Sequence, residues 1–193
     1  MLIGEFTPSA VLFSGTAGAV DPSLRQGDVV IGDRVAQYDV GLQTTEGIRR
    51  RGMRNAVTGA LDPLVVPAPD TLLATARQSA RDLAWPTMAM PDGDSRRPRV
   101  VEGVIVTGDV FMADVSRRAE LRAAFDAAAI EMEGAAFVQT CRQFAVPCLV
   151  IRSVTDRADG QALASYERFL AVASENAAHL VAAIIAKLNG GPR

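Results

Sequence analysis

Clustered positive charge is missing from this sequence, and with it the footprint of a nucleic-acid-binding protein. The 193 residues carry a formal charge of -2. The one basic run, Arg49-Arg50-Arg51, is short and sits among glycines; it reads as a solvated loop, with a phosphate or partner contact as the alternative. Cysteine is scarce. Cys141 and Cys148 make no disulfide framework and read as small buried hydrophobes of a reducing compartment. Histidine is scarcer still: His179 stands alone, in the last helical segment, and reads as a helix-surface residue. With so few ligands the usual zinc site cannot be built, and neither a metal nor a cofactor is expected. No run of eighteen apolar residues occurs, which predicts no membrane-spanning helix. Met1-Leu2-Ile3-Gly4-Glu5 lacks the basic start and long apolar stretch of a signal peptide. These scarcities leave a cytoplasmic protein whose partner is neither nucleic acid nor membrane.

Apolar residues make up 49% of the chain, enough to bury one sizeable core, so residues 1–193 are expected to form a single domain. Short, nearly continuous apolar runs fall at 10–14, 28–32, 101–107, 128–132 and 148–153. Runs of that kind are strands covered on both faces. Helical spacing appears at Leu72, Ala76, Ala80 and Leu83, with Asp70 as N-cap, and from Ser116 to about Ala124. It returns at Phe137, Cys141 and Phe144, and in a closing stripe of Ala177, Val181, Ile184 and Leu188 that Asn189-Gly190-Gly191-Pro192 ends. Arg34 to Pro69 is weakly periodic and predicts short irregular strands, a lid or a partner-facing excursion; Pro86 to Pro98 reads as an exposed loop. Strands alternating with helices define an α/β protein.

Four strand ends carry the candidate chemistry. Ser14-Gly15-Thr16-Ala17-Gly18 is small enough for backbone to approach a ligand, or simply to make a tight turn after a strand. No Gly-Lys-Ser/Thr follows, so it is no Walker loop. Val106-Thr107-Gly108-Asp109-Val110-Phe111 ends a second strand; Phe111 and Met112 taken alone read as core. Glu131-Met132-Glu133 puts two carboxylates on one side of a strand end, with Met132 on the other. A carboxylate accepts two hydrogen bonds at once, which suits the vicinal hydroxyls of a sugar, although glutamates at a strand end can also be merely solvated. Arg152, near the end of an apolar strand, invites an ion pair with a carboxylate. Asp156, in Thr155-Asp156-Arg157-Ala158-Asp159, fits a turn or a cap equally well.

Together and in this order, these motifs resemble the methylthioadenosine/S-adenosylhomocysteine nucleosidases of the nucleoside phosphorylase superfamily, over residues from near 9 to near 189. The resemblance implies three layers, with a central mixed sheet flanked by helices. It places Thr16 beside a ribose, with Ala17 and Gly18 lining the site. Glu133 takes the two ribose hydroxyls, Met132 packs on the sugar and Glu131 lies nearby. Phe111 stacks on the purine, and backbone near Val110 and Met112 meets the purine's edge. Arg152 lies in the active site near the glutamates. Asp156 is the implied catalytic acid: it donates to purine N7 and accepts from the 6-amino group, which requires a carboxyl kept protonated by burial. Aspartate there goes with 6-aminopurines, so adenine is the implied leaving group. The implied partner is a small-molecule purine nucleoside and the implied assembly a homodimer.

The sequence also departs from the family. The first strands, with the glutamate that activates water, have no counterpart, and Glu5 precedes the wrong strand; the chain is expected to be amino-terminally short relative to the family. Gln37-Tyr38-Asp39-Val40 stands where the family has a histidine-containing stretch. The competing readings are a phosphorylase using phosphate on the same scaffold and a catalytically impaired nucleoside-binding protein.

Overall fold

A computed structural model describes residues 2–190 apart from 92 and 94. Ten strands and five helices follow one another in the described chain. A short helix α1 (Leu2–Phe6) leads into β1 (Val11–Ala19), which pairs parallel with β10 (Cys148–Asp156) along its length. The remaining long strands are β2 (Val29–Gln37), β8 (Val100–Thr107) and β9 (Ala127–Glu131). The mixed sheet runs β10-β1-β9-β8-β2, with the short β5 (Val65–Pro67) beside the second half of β2. The first half of β2 also pairs antiparallel with β10 through Ile31↔Ile151 and Val29↔Ser153, so five strands close into a ring.

Both faces of these strands are covered, which is why they read as unbroken apolar runs. In β10, Leu149 and Ile151 join a cluster with Leu72, Leu73, Ala76, Leu180 and Ile184 of helices α2 (Asp70–Asp82) and α5 (Ala162–Leu188). Cys148, Val150 and Val154 point the other way, into a cluster with Val138 and Cys141 of α4 (Gly134–Gln143). The period of two thus divides one strand between two cores. A third cluster packs Leu121 and Phe125 of α3 (Val115–Phe125) on β8 and β9. Each fully buried Leu or Ile in these clusters contributes roughly 1.5–3 kcal/mol of burial free energy.

Several local expectations are corrected. The segment read as a tight turn after Ser14 continues as strand to Ala19. Asp70 is the first residue of α2, and Pro69 is its N-cap. Helix α3 is capped by Asp114, whose carboxylate accepts from the Ser116 and Arg117 amides at 2.8 and 3.0 Å. Cys141 is buried but Phe144 lies past the end of α4 and is exposed; on α5, Ala177 and Ile184 are buried while Leu188 is exposed. Gly191 and Pro192 lie outside the described residues. The weakly periodic 34–69 region holds the end of β2, a hairpin of β3 (Gly41–Thr44) and β4 (Gly47–Arg50), and β5. The 86–98 loop contains a two-residue pairing of β6 (Met88–Ala89) with β7 (Ser95–Arg96).

Helix α5, 27 residues long, is long and apolar enough by length and composition to cross a bilayer, contrary to the reading from apolar runs. Its buried face, including Phe169, Ala173, Ala177, Leu180 and Ile184, is turned inward on the sheet and α2. His179 is on its exposed side, as its position in the sequence predicts.

Candidate active site

The carboxyl ends of β1, β8, β9 and β10 converge on a cavity of about 340 Å³. One end of it is built around Asp156. The residue is 2% exposed, and burial pushes its carboxyl above the ordinary aspartate pKa of 3.8. Two hydrogen bonds pull the other way: Oδ1 accepts from the Ala158 amide at 2.8 Å and Oδ2 from the Thr155 hydroxyl at 2.9 Å. Burial dominates, so the neutral acid is favoured over a wider pH range than for an ordinary aspartate. Asp156 reaches its place through a bulge. Ala17 pairs with Val154 but Gly18 pairs with Asp156, leaving Thr155 as the extra residue. Bulges re-aim side chains in this way. Gly18 makes the room: a Cβ there would lie 2.8 Å from Asp156 Oδ1.

Phe111 stands on the wall beside Asp156, half in solvent, its ring edge-on to Tyr166 at 6.0 Å and 82°. The turn that carries it is held from below. Asp39 Oδ2 accepts from the Asp109 amide at 2.8 Å, and Gln37 donates to Asp39 Oδ1 at 2.8 Å. Tyr38 is packed so closely under Gly108 that a Cβ there would come within 2.3 Å of its ring. The Gln37-Tyr38-Asp39 stretch, set apart in the sequence as a departure, therefore supports the 108–112 turn. Met112 is buried beneath it and Val110 is exposed above it.

The other end is built around an ion pair. Glu131 and Arg152 are both almost wholly buried, and Arg152 donates to Glu131 Oε2 from Nε at 3.1 Å and also from Nη2. Glu131 further accepts from the Gly134 amide at 2.8 Å, the Glu133 amide at 3.2 Å and the Thr107 hydroxyl. Thr107 Oγ1 in turn accepts from the Ala135 amide at 2.8 Å. The first amides of a helix have no intrahelical acceptor and carry positive partial charge, and α4 takes both acceptors from the preceding strands. Glu131 thus caps α4 and neutralises Arg152 at once. Glu133 is different. Its side chain is 66% exposed in the cavity mouth, with Oε2 3.8 Å from Arg152 Nη2.

The structure gathers Thr16, Ala17, Gly18, Val110, Phe111 and Met112 around this cavity, together with Glu131, Met132, Glu133 and Asp156. Arg152 is the exception: it does not line the cavity but lies behind Glu131. The strand also stops at Glu131, so Glu131 and Glu133 do not share a face by strand alternation; one is buried and the other exposed. Sequence reasoning missed Leu163 and Tyr166, which reach the wall from the first turn of α5 at a spacing of three. That spacing, just after the Asp156 turn, is the signal that could have found them.

The chain matches the family model of the phosphorylase superfamily over residues 1–186. Among curated proteins, the methylthioadenosine/S-adenosylhomocysteine nucleosidase of Psychromonas ingrahamii is 35% identical over 190 residues, covering 98% of this chain and 74% of that protein. The corresponding nucleosidase of Colwellia psychrerythraea, solved in complex with adenine, superposes with a TM-score of 0.79 at 32% identity, over 99% of this chain and 72% of its own. Futalosine hydrolase of Helicobacter pylori superposes with a TM-score of 0.78 at 28% identity, over 96% and 71%. The chain belongs to the phosphorylase superfamily. Within it, the chain belongs to the methylthioadenosine/S-adenosylhomocysteine nucleosidase family.

Proposed function

We propose that this protein is a purine nucleosidase that hydrolyses the N-glycosidic bond of methylthioadenosine- or S-adenosylhomocysteine-type nucleosides and releases adenine. The observation that carries the reading is the pairing, in one cavity, of a buried aspartate of raised pKa with an exposed glutamate. Asp156, protonated, donates to N7 of the base and accepts from the 6-amino group. The bond to C1′ breaks with its electrons on the base, water adds to the electron-poor sugar carbon and releases its extra proton to solvent, and Asp156 is reprotonated before the next turnover. Phe111 provides a ring face for the base, an interaction worth about 1–3 kcal/mol. Glu133 accepts from the 2′ and 3′ hydroxyls, and Met132 and Thr16 border the sugar.

Glu131 is committed to Arg152, to Thr107 and to the amides opening α4, which leaves it a supporting role rather than that of water-activating base. The exposed Glu133 carboxylate in the wall disfavours a phosphate dianion, so water is the nucleophile in this reading. The reading extends to a cytoplasmic homodimer. Val110 and Phe111, which line the cavity, and Val115 just beyond them stand exposed along one segment, surface of the kind a second copy covers. The test is adenine release in phosphate-free buffer from methylthioadenosine, S-adenosylhomocysteine and futalosine. Release from the first two without phosphate supports the reading; strict dependence on phosphate overturns it.

A further inference from the structure

The guanidinium of Arg152 is buried, yet carboxylate contacts hold it on one side only. On the other side lies an aromatic ring. Arg152 Cζ sits 4.3 Å from the centroid of Phe13 in β1, and Phe13 in turn meets Phe137 of α4 at 4.7 Å with the rings tilted by 33°. Gly15, two residues along the same strand, leaves the remaining space: a Cβ there would lie 2.3 Å from Arg152 Nη1. The guanidinium is therefore enclosed by the Glu131 carboxylate, the Phe13 ring and the bare backbone of Gly15. From that position it faces Glu133 at 3.8 Å.

The geometry points to Phe13, backed by Phe137, as a positioning residue for recognition of the sugar. The inference rests on the reading of Glu133 as the ribose-binding carboxylate. A cation over an aromatic face is held electrostatically, and more strongly where water is excluded. The ring fixes the guanidinium plane, and the guanidinium fixes where the exposed Glu133 carboxylate is drawn. An aliphatic side chain of similar volume fills the space but supplies no negative face. Phe13 touches neither base nor sugar in this account, so its removal acts only on the part of a ligand that Glu133 meets.

The test uses carbocyclic adenosine, which keeps the 2′ and 3′ hydroxyls and cannot be hydrolysed, and its 2′,3′-dideoxy counterpart. Phe13→Leu weakens binding of the hydroxyl-bearing ligand about tenfold and leaves the dideoxy ligand within about twofold of wild type. Phe13→Tyr, which keeps the ring face, restores wild-type affinity. Phe137→Leu, which removes only the backing ring, gives a smaller loss of the same selectivity and serves if Phe13→Leu does not fold. The Arg152 Nε–H resonance, assigned by its disappearance in Arg152→Lys, provides a readout independent of ligand: ring-current shielding is present in wild type and Phe13→Tyr and lost in Phe13→Leu. Equal losses for both ligands, or none, overturn the role in sugar recognition. An unshifted resonance overturns the contact itself. A wild type that binds neither ligand overturns the proposed function, and with it any role for Phe13 in sugar recognition, while the resonance still decides whether the ring holds Arg152.

Discussion

The two ends of the cavity use opposite electrostatic strategies. Burial leaves Asp156 without a cationic partner and favours its neutral form. An equally buried Glu131 is instead paired with Arg152 and with helix amides, and a second glutamate is left exposed beside them. The same side-chain chemistry thus yields a proton donor at one end and fixed acceptors at the other. What differs is the company each carboxyl keeps. A carboxyl beside a guanidinium has its charge balanced by a partner, and one buried without a cation is pushed towards its neutral form.

The sharpest way to break that contrast is to remove the cation. Arg152→Met leaves Glu131 buried and unpaired, and destabilises the fold by about 3–5 kcal/mol in urea unfolding. Adding Glu131→Leu to that variant removes the orphan charge and recovers part of the loss; no recovery would mean that the helix-capping bonds of Glu131 outweigh its ion pair. Next in size is the base-facing acid. Asp156→Asn lowers adenine release at least about a hundredfold, the usual lower scale for losing a general acid, and wild-type turnover would remove Asp156 from the mechanism. Smaller again is the sugar carboxylate: Glu133→Gln weakens binding of a ribose-bearing ligand about tenfold, with little change for one lacking both hydroxyls. Equal effects on both would place Glu133 elsewhere than at the sugar.

The smallest effect concerns pH and stability. Because burial raises the Asp156 pKa, folding favours its protonated form. Its contribution to stability is complete below the ordinary value of 3.8 and is lost as pH rises through the raised folded-state value. Asp156→Asn has no such loss. Thermal midpoints of variant and wild type therefore diverge in favour of the variant as pH climbs from 4 towards neutrality, and parallel curves would show that Asp156 is not held neutral by burial.

The sequence made the strand ends legible because both faces of the strands are covered and the polar residues interrupt apolar runs. Thr16, Glu133 and Asp156 stand out in that way, Phe111 reads alone as core and is picked out only by the resemblance, and all four meet in one cavity. Arg152 was legible as a pairing residue but not as one set back from the wall, since depth behind another side chain leaves no periodic trace. Leu163 and Tyr166 were hidden because their contribution depends on where α5 begins and how it crosses the mouth. The sequence starts α3 at Ser116, yet Asp114 caps it; both residue types cap, and only geometry shows whose oxygen reaches the amides. Closure of the ring was the least legible of all. It depends on β2 meeting β10, which lies more than a hundred residues away in the chain, and no local pattern encodes that distance.

That closure has a consequence for the order in which the molecule comes apart. Residues Ile151 to Ser153 are flanked by β1 on one side and β2 on the other. Their amides can trade hydrogen for deuterium only when one of those seams opens, whereas the β3–β4 hairpin is paired with no third strand and trades freely. The segment running up to Asp156 is thus one of the slow clocks of the protein, together with Val29 to Ile31, which lie between β8 and β10. Heat or denaturant would blur the cavity rim, with Phe111 and Met132, well before it dislodged the acid at the cavity floor.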